Sequence, residues 1–308
     1  MVDSEPILVA IYCMVYNHEP YLRKCFDGFV MQETSFRFVA VVHDDCSGDG
    51  SVEIIREYVA RYPDLFIPIY ETENQYSKYN GSIERIMNKT IRMTRCKYVA
   101  FCEGDDYWID SHKLQNQVDF LESHVDYSVT FHRWRQFNMK TGEMQDDNCG
   151  FLFANGERGR DVDLELCFKY WVTQPLTMVY RATCWKVEEM LRYRYYRDMH
   201  QIYHLLKKGK GYLFAFVGGV RTIHGGGVAS MISQKRYCDI SLPMDREFYW
   251  KTLDRGPRKF YLETLEECVR IYAGENKWKA LRCALSYCII SRHPRSLIRH
   301  MKLILGNG

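Results

Sequence analysis

An α/β fold is predicted for this chain, with a mostly parallel central sheet flanked by helices and a helical C-terminal tail. Three features carry that expectation. Uninterrupted apolar runs alternate with stretches of helical spacing between residues 7 and 102. Each run suits a strand buried on both faces, as a parallel sheet requires. Polar clusters then fall at the C-terminal ends of the runs, where doubly wound sheets bind their ligands.

The first run, 7–15, is broken by Tyr16-Asn17-His18-Glu19-Pro20. Residues 21–31 follow with helical spacing through Leu22, Cys25, Phe26, Phe29 and Val30. A strand is expected over 38–42, then a helix over 52–62 capped by Asp49 or Ser51. A strand over 66–70, a helix over 83–95 and a strand over 98–102 complete the alternation. Beyond residue 110 the pattern changes. A helix is expected over 113–124, short strands over 128–131 and 176–180, and a polar loop or hairpin over 138–155. A helix over 200–207 and a strand over 212–217, running into Gly218-Gly219, come next. From about residue 245 the spacing is helical.

The 308 residues are 46% hydrophobic and 26% charged, which supports a sizeable core and excludes a disordered chain. Twelve cysteines include no Cys-x-x-Cys pair, against a zinc ribbon or a thioredoxin-type site. Several lie in apolar runs, as small hydrophobes do in a reduced, cytosolic protein. No basic stretch precedes the first apolar run, and no run approaches ~18 residues. Neither a signal peptide nor a membrane span is therefore expected. The net charge of +3 hides an asymmetry. Residues 251–308 hold 12 Lys/Arg against 5 Asp/Glu, and the first 250 residues hold 30 against 34. The tail is a basic appendage on a mildly acidic body.

Asp105-Asp106 directly follows a buried strand. Adjacent carboxylates there repel one another unless a cation sits beside them. Oxygen ligands suit Mg2+ or Mn2+, either of which can bridge a diphosphate. The plainer alternative is a solvated acidic turn that caps the helix beginning near Ser111. Asp45 ends another strand and can accept from a base N–H or a ribose hydroxyl, whereas Asp44 reads as an Asx turn. Tyr16 ends the first strand, where its ring could stack on a base. Tyr107, Trp108 and Trp171 read equally as sugar platforms or as core.

These residues together resemble the nucleotide-binding half of the family 2 glycosyltransferases, which have the GT-A fold. Val15-Tyr16-Asn17, with Glu19 and Tyr21-Leu22 after it, resembles the family's opening strand end. Asp44-Asp45-Cys46-Ser47-Gly48-Asp49-Gly50-Ser51 resembles its second motif. Cys102-Glu103-Gly104-Asp105-Asp106-Tyr107-Trp108 resembles its metal motif, in the form of a bacterial subgroup that builds surface polysaccharides. Tyr196-Arg197-Asp198-Met199 resembles the acceptor-site Asp and its helix, and the segment from Ile223-His224-Gly225 to Ser230 resembles the closing His-x-Gly-Gly. The resemblance covers about residues 7–230. Val15 stands where the family usually has Thr, Cys46 where it has Gly, and Arg221 lies one position earlier than the usual Arg.

The resemblance implies an inverting, metal-dependent transfer of a sugar from a nucleoside-diphosphate sugar, by family habit a UDP-sugar. The acceptor would be a hydroxyl of a glycan or lipid-linked glycan in surface polysaccharide synthesis. Asp106 and His224 would hold Mn2+ or Mg2+, and Asp198 would be the general base. Tyr16, Asn17, Glu19, Asp45, Arg85 and Asp105 would hold the nucleotide. Residues 1–110 would form the nucleotide-sugar half and 111–230 the acceptor half, with 231–308 as a helical basic extension. A nucleotidyltransferase or a dehydrogenase would need a Gly-rich loop after the first strand, and none is present. A degenerate scaffold or sugar-binding domain is opposed by the intact Asp45, Asp105, Asp106 and Asp198. Residues 277–308 carry seven Lys/Arg and no acid, interleaved with apolar residues. That pattern suits either an anionic membrane surface or a packed helix with a basic outer face. The expected location is the cytoplasm or the inner face of the cytoplasmic membrane. Nucleic acid is not an expected partner.

Overall fold

The computed structural model describes residues 5–154, 156–225 and 233–306. It contains two compact units that meet in sequence between Ile223 and His224.

In the first unit the expected alternation is present. β1 (Val9–Val15) leads into α1 (Glu19–Val30), and β2 (Phe38–Asp44) into α2 (Ser51–Arg61). β3 (Phe66–Tyr70), α3 (Ser82–Thr94) and β4 (Tyr98–Phe101) follow. After them come β5 (Tyr107–Trp108), α4 (Lys113–Ser123), β6 (Tyr127–Asn138), β7 (Glu143–Asp146) and β8 (Gly159–Val162). The unit ends with α5 (Leu164–Tyr170), β9 (Val179–Arg181), α6 (Val187–Met190), α7 (Asp198–Leu206) and β10 (Lys210–Ile223).

One sheet holds every strand, in the order β3-β2-β1-β4-β9-β6-β10-β5, with β7 beside β6 and β8 beside β10. β3, β2, β1 and β4 are mutually parallel. β9 then runs antiparallel to both β4 and β6, β6 and β10 are parallel, and β5 and β8 are antiparallel to β10. The parallel expectation therefore describes the first half, and the second half is mixed. β1 lies between β2 and β4 and is buried along nearly its whole length, which is why its sequence is a continuous apolar run.

Several expectations need correction. The short strand over 128–131 grows to twelve residues as β6, because its outer half pairs with β7 in the hairpin. The Gly218-Gly219 pair does not end the last strand. β10 runs through it with register shifts, and a Cβ on Gly219 would come within 2.5 Å of Leu176. Glycine there permits close packing inside the sheet. The strand over 176–180 begins as a 3-10 turn at Pro175–Thr177, leaving three residues in the sheet. Gly50 occupies the cap position of α2, while the Asp49 carboxylate accepts from the Ser51 amide at 3.0 Å. Trp108 is core rather than a sugar platform. Its Nε1–H donates to the Leu176 carbonyl at 2.9 Å and its ring meets Phe29 edge-on at 4.9 Å.

Arg181 knits the two halves of the sheet together. It donates to the Tyr127 carbonyl at 2.7 Å, the Tyr98 hydroxyl at 3.1 Å and the His124 carbonyl at 3.1 Å.

The second unit is helical from residue 234, ahead of the point near residue 245 where helical spacing is read in the sequence. It comprises α8 (Gln234–Thr252), α9 (Arg255–Ala273), α10 (Lys277–Ser291) and α11 (Arg295–Leu305). Its own core includes Cys238, Tyr261, Leu265, Cys268, Tyr272 and Ile304. All twelve cysteines are free. Among the described residues no helix is long and apolar enough to cross a membrane.

One buried charge stands out in the first unit. Lys113 opens α4 with no exposed surface, its Nζ 3.9 Å from the centre of the Trp108 ring and without a hydrogen-bond partner. Burial lowers its pKa from 10.5 to about 7. Lys113→Met is expected to stabilise the fold by about 1–4 kcal/mol at neutral pH, measured by urea unfolding. The gain should fade between about pH 7 and 10.5, where the unfolded chain keeps a proton that the folded chain has lost. A Met variant less stable than the wild type would mean that the cation–π contact with Trp108 outweighs the burial.

Candidate functional site

The site lies beyond the C-terminal ends of β1, β2 and β4. The chain after β4 stays beside β1, with the Cys102 amide donating to the Tyr12 carbonyl at 3.2 Å and the Gly104 amide to Met14 at 2.9 Å. A Cβ on Gly104 would meet His18 at 2.9 Å, Leu22 at 3.0 Å and Val15 at 3.1 Å. Only glycine lets this turn lie so close to the start of α1.

The turn carries three carboxylates. Glu103, Asp105 and Asp106 each offer one oxygen, and these oxygens lie within 4.8 Å of one another. Asp106 is buried, and its Oδ1 accepts from the Thr222 amide of β10 at 2.9 Å. Burial raises its pKa, the negative charges of Asp105 and Glu103 raise it further, and the Thr222 amide and Arg221 oppose them. Burial first, then Asp105 and Asp198, pushes Glu103 up to about 8, with Arg221 opposing. Asp105 lies 3.9 Å from His18 Nε2. A donor set made only of oxygens, its protons held more tightly than usual by burial and by neighbouring like charge, fits a hard divalent cation such as Mg2+ or Mn2+.

Asp198 is the first residue of α7, with Arg197 as the capping residue before it, so it does not fill the cap position. Its Oδ1 accepts from the Met199 amide at 2.8 Å. Burial raises its pKa while Arg197 and Arg221 draw it down. Glu103 is raised in part by the charge of Asp198, so the two carboxylates act on one another.

The Asp44-to-Ser51 motif is a clasp between two helix starts. The Asp44 carboxylate accepts from Ser47 N at 3.1 Å, the expected Asx turn. Asn17 donates its amide to Ser47 Oγ at 2.9 Å and accepts from Gly48 N at 2.8 Å through Oδ1. His18 N donates to Ser51 Oγ at 3.0 Å, Glu19 N to Asp49 Oδ2 at 3.0 Å, and Glu19 Oε2 accepts from Gly50 N at 2.8 Å. The side chains of Asn17 and Glu19 are thus engaged in holding α1 to α2. Asn17 has φ 55°, which asparagine tolerates, and Cys46 has φ 66°, where a glycine would be unstrained.

Asp45 is buried. Its Oδ1 accepts from Gln75 N at 2.6 Å and its Oδ2 from Tyr76 N at 3.0 Å, so it anchors the loop between β3 and α3. Below it the Tyr12 hydroxyl meets His43 Nδ1 at 3.0 Å, and His43 Nε2 lies 3.5 Å from Glu71. Tyr16 is half exposed at 49%.

Arg85 is exposed and donates to the Asn80 carbonyl at 2.8 Å. The guanidinium that acts on Glu103, Asp106 and Asp198 is Arg221. His224 follows β10 directly and opens the second unit. The glycine segment after it, from residue 226 to 230, lies outside the described residues. The sequence reading used Glu103 only as part of a motif, although an acid two residues before an Asp-Asp pair is itself a ligand signal. It missed Tyr76, whose hydroxyl feels the charges of Arg197, Glu103 and Asp198. Nothing periodic in the loop marks that residue.

Comparison with known proteins agrees with this architecture. The family described as glycosyl transferase family 2 matches residues 11–176, more than half of the chain. The Mycobacterium tuberculosis protein Rv1520 is 40% identical over 124 residues, covering 40% of this chain and 34% of that one. The poly(ribitol-phosphate) beta-glucosyltransferase of Bacillus spizizenii is 29% identical over 115 residues, covering 36% and 17%. The chain thus spans about a third or less of the length of these curated relatives. S. aureus TarS in complex with UDP-GlcNAc superposes with TM-score 0.60 at 15% identity, covering 92% of this chain and 81% of that one. Mannosyltransferase PcManGT from Pyrobaculum calidifontis, in complex with GDP-Man and Mn2+, superposes with TM-score 0.53 at 14% identity, covering 99% and 84%. At these identities the structural likeness is one of fold, the expected GT-A type. With the family match over more than half of its length, this chain belongs to glycosyl transferase family 2.

Proposed function

We propose that this protein transfers a sugar from a nucleoside-diphosphate sugar, a UDP-sugar, to a hydroxyl of a glycan or lipid-linked glycan in surface polysaccharide synthesis, with inversion. The observation that carries the reading is the carboxylate cluster at the end of β4, facing the charge of Asp198. The relatives support the substrate class. TarS is solved with UDP-GlcNAc, PcManGT with GDP-Man and Mn2+, and a poly(ribitol-phosphate) beta-glucosyltransferase is 29% identical over 115 residues.

In this reading Asp106 holds the cation, with Glu103 and Asp105 beside it. A bound Mn2+ or Mg2+ supplies neutralisation of the departing nucleoside diphosphate. Asp45 and Tyr16 receive the nucleoside, and Arg221 adds positive charge at the diphosphate. Asp198 takes the proton of the acceptor hydroxyl as its oxygen attacks the anomeric carbon. The raised pKa of Asp198 makes it a stronger base than an exposed carboxylate once it has ionised.

A thermal-shift titration with UDP, GDP, CMP and dTDP, with and without Mn2+, tests the donor and the metal together. A Mn2+-dependent shift with UDP is expected, and Asp106→Asn should abolish it. No shift with any nucleotide would overturn the reading. Asp198→Asn should lower kcat by about 10^2–10^4-fold with donor KM little changed, in a steady-state assay of nucleotide release. An unchanged kcat would remove Asp198 as the base.

The crowded carboxyls also set a pH dependence. A carboxyl with a raised pKa binds its proton better in the folded chain. The metal-free protein should therefore lose stability as pH rises from about 4.5 to about 8. Mn2+ competes with those protons, so its apparent affinity should tighten up to about tenfold per pH unit across that window. Thermal midpoints with EDTA and with Mn2+ at several pH values check both signs. A pH-independent Mn2+ affinity would place the ion elsewhere.

A further inference from the structure

The second unit presents a surface that no step of the transfer reaction uses. α10 and α11 form a hairpin packed on α9. Their inner faces close the core of the unit through Ala280, Cys283, Ala284, Ile290 and Ile304. Their outer faces are not polar. On α10, Trp278, Arg282, Leu285, Ile289 and Arg292 recur at alternating spacings of four and three and form one exposed stripe. Trp278 is 78% exposed and Ile289 72%. On α11, Ile298, Lys302 and Leu305 repeat the same spacing, and Ile298 is 63% exposed.

The charge around these residues has one sign. Residues 277–308 contain seven Lys/Arg and no Asp or Glu. Lys279 pairs with Asp239 at 3.0 Å and Arg299 with Glu266 at 3.1 Å. Among the described residues Lys277, Arg282, Arg292, Arg295 and Lys302 have no ion-pair partner. Single exposed apolar residues are ordinary, but large aliphatic and indole side chains alternating with unpaired basic groups along two joined helices are not. An acidic surface without apolar residues would satisfy the charges and leave Trp278, Ile289 and Ile298 in water. A phospholipid interface meets both needs, with acyl chains for the apolar stripe and phosphates for the guanidinium and ammonium groups.

We propose that the α10–α11 hairpin seats on an anionic phospholipid surface, with Trp278, Leu285, Ile289 and Ile298 in the interfacial layer. This goes beyond the transfer reaction and does not rest on the donor or metal assignments, so the two can fail separately.

Co-sedimentation of the full chain with vesicles of phosphatidylglycerol and phosphatidylethanolamine in equal parts, against phosphatidylcholine alone, tests it. Binding to the anionic vesicles that weakens with added salt is expected, with little binding to phosphatidylcholine. Arg282→Gln with Arg292→Gln should lower partitioning about 25-fold, roughly fivefold per residue. Ile289→Ser with Ile298→Ser should lower it by about tenfold or more. Both pairs are exposed, so circular dichroism and the thermal midpoint should match the wild type. No binding to anionic vesicles by the wild type, or binding indifferent to both double variants, overturns the proposal. So does a dimer in sedimentation velocity that Ile289→Ser dissociates, since a second copy of the chain would then cover the stripe.

Discussion

Burial and like charge meet in the carboxylate turn at the end of β4. Glu103, Asp105 and Asp106 lie too near one another to ionise together without compensation, and the burial of Asp106 removes the water that would screen them. The surroundings supply partial answers. The Thr222 amide of β10 donates to Asp106, and Arg221, one residue earlier, spreads positive charge over Glu103, Asp106 and Asp198. This ties the carboxylate turn to the far side of the sheet. β5, only two residues long, supports the same join by pairing with Gly219 and Val220 of β10.

The clasp between α1 and α2 serves this turn indirectly. His18 and Leu22 at the start of α1 leave no room for a Cβ at Gly104, and His18 is held by Ser51 through its backbone amide. Asn17 and Glu19, which the family resemblance implies as nucleotide contacts, accept here from the Gly48 and Gly50 amides of the clasp. A motif can be specific to a family because it builds the site rather than because it touches the ligand.

The first half of the fold was legible for a simple reason. β1, β2 and β4 are buried on both faces, so their sequences are continuous apolar runs, and the polar residues that end them mark the site. The second half was not. β6 and β10 continue outward into half-exposed residues, and β10 crosses a glycine pair that reads locally as a turn. Their length depends on partners far away in sequence. The placement of Arg221 over Arg85 was equally hidden, because exposure and bonding to Asn80 are tertiary facts. Trp108 could not be sorted between ligand and core until its indole N–H met the Leu176 carbonyl.

Asp45 spends one oxygen on the Gln75 amide and the other on the Tyr76 amide, and each oxygen keeps a further lone pair. On the proposed reading a ribose or base would add to these same atoms. Order in the loop and affinity for the donor then share one carboxylate, and they are thermodynamically linked. Whatever loosens residues 71–81 weakens the ligand, and the ligand in turn tightens the loop, which carries Tyr76 toward Glu103 and Asp198. On that reading the bound donor and the ordered loop favour one another by the same factor in both directions.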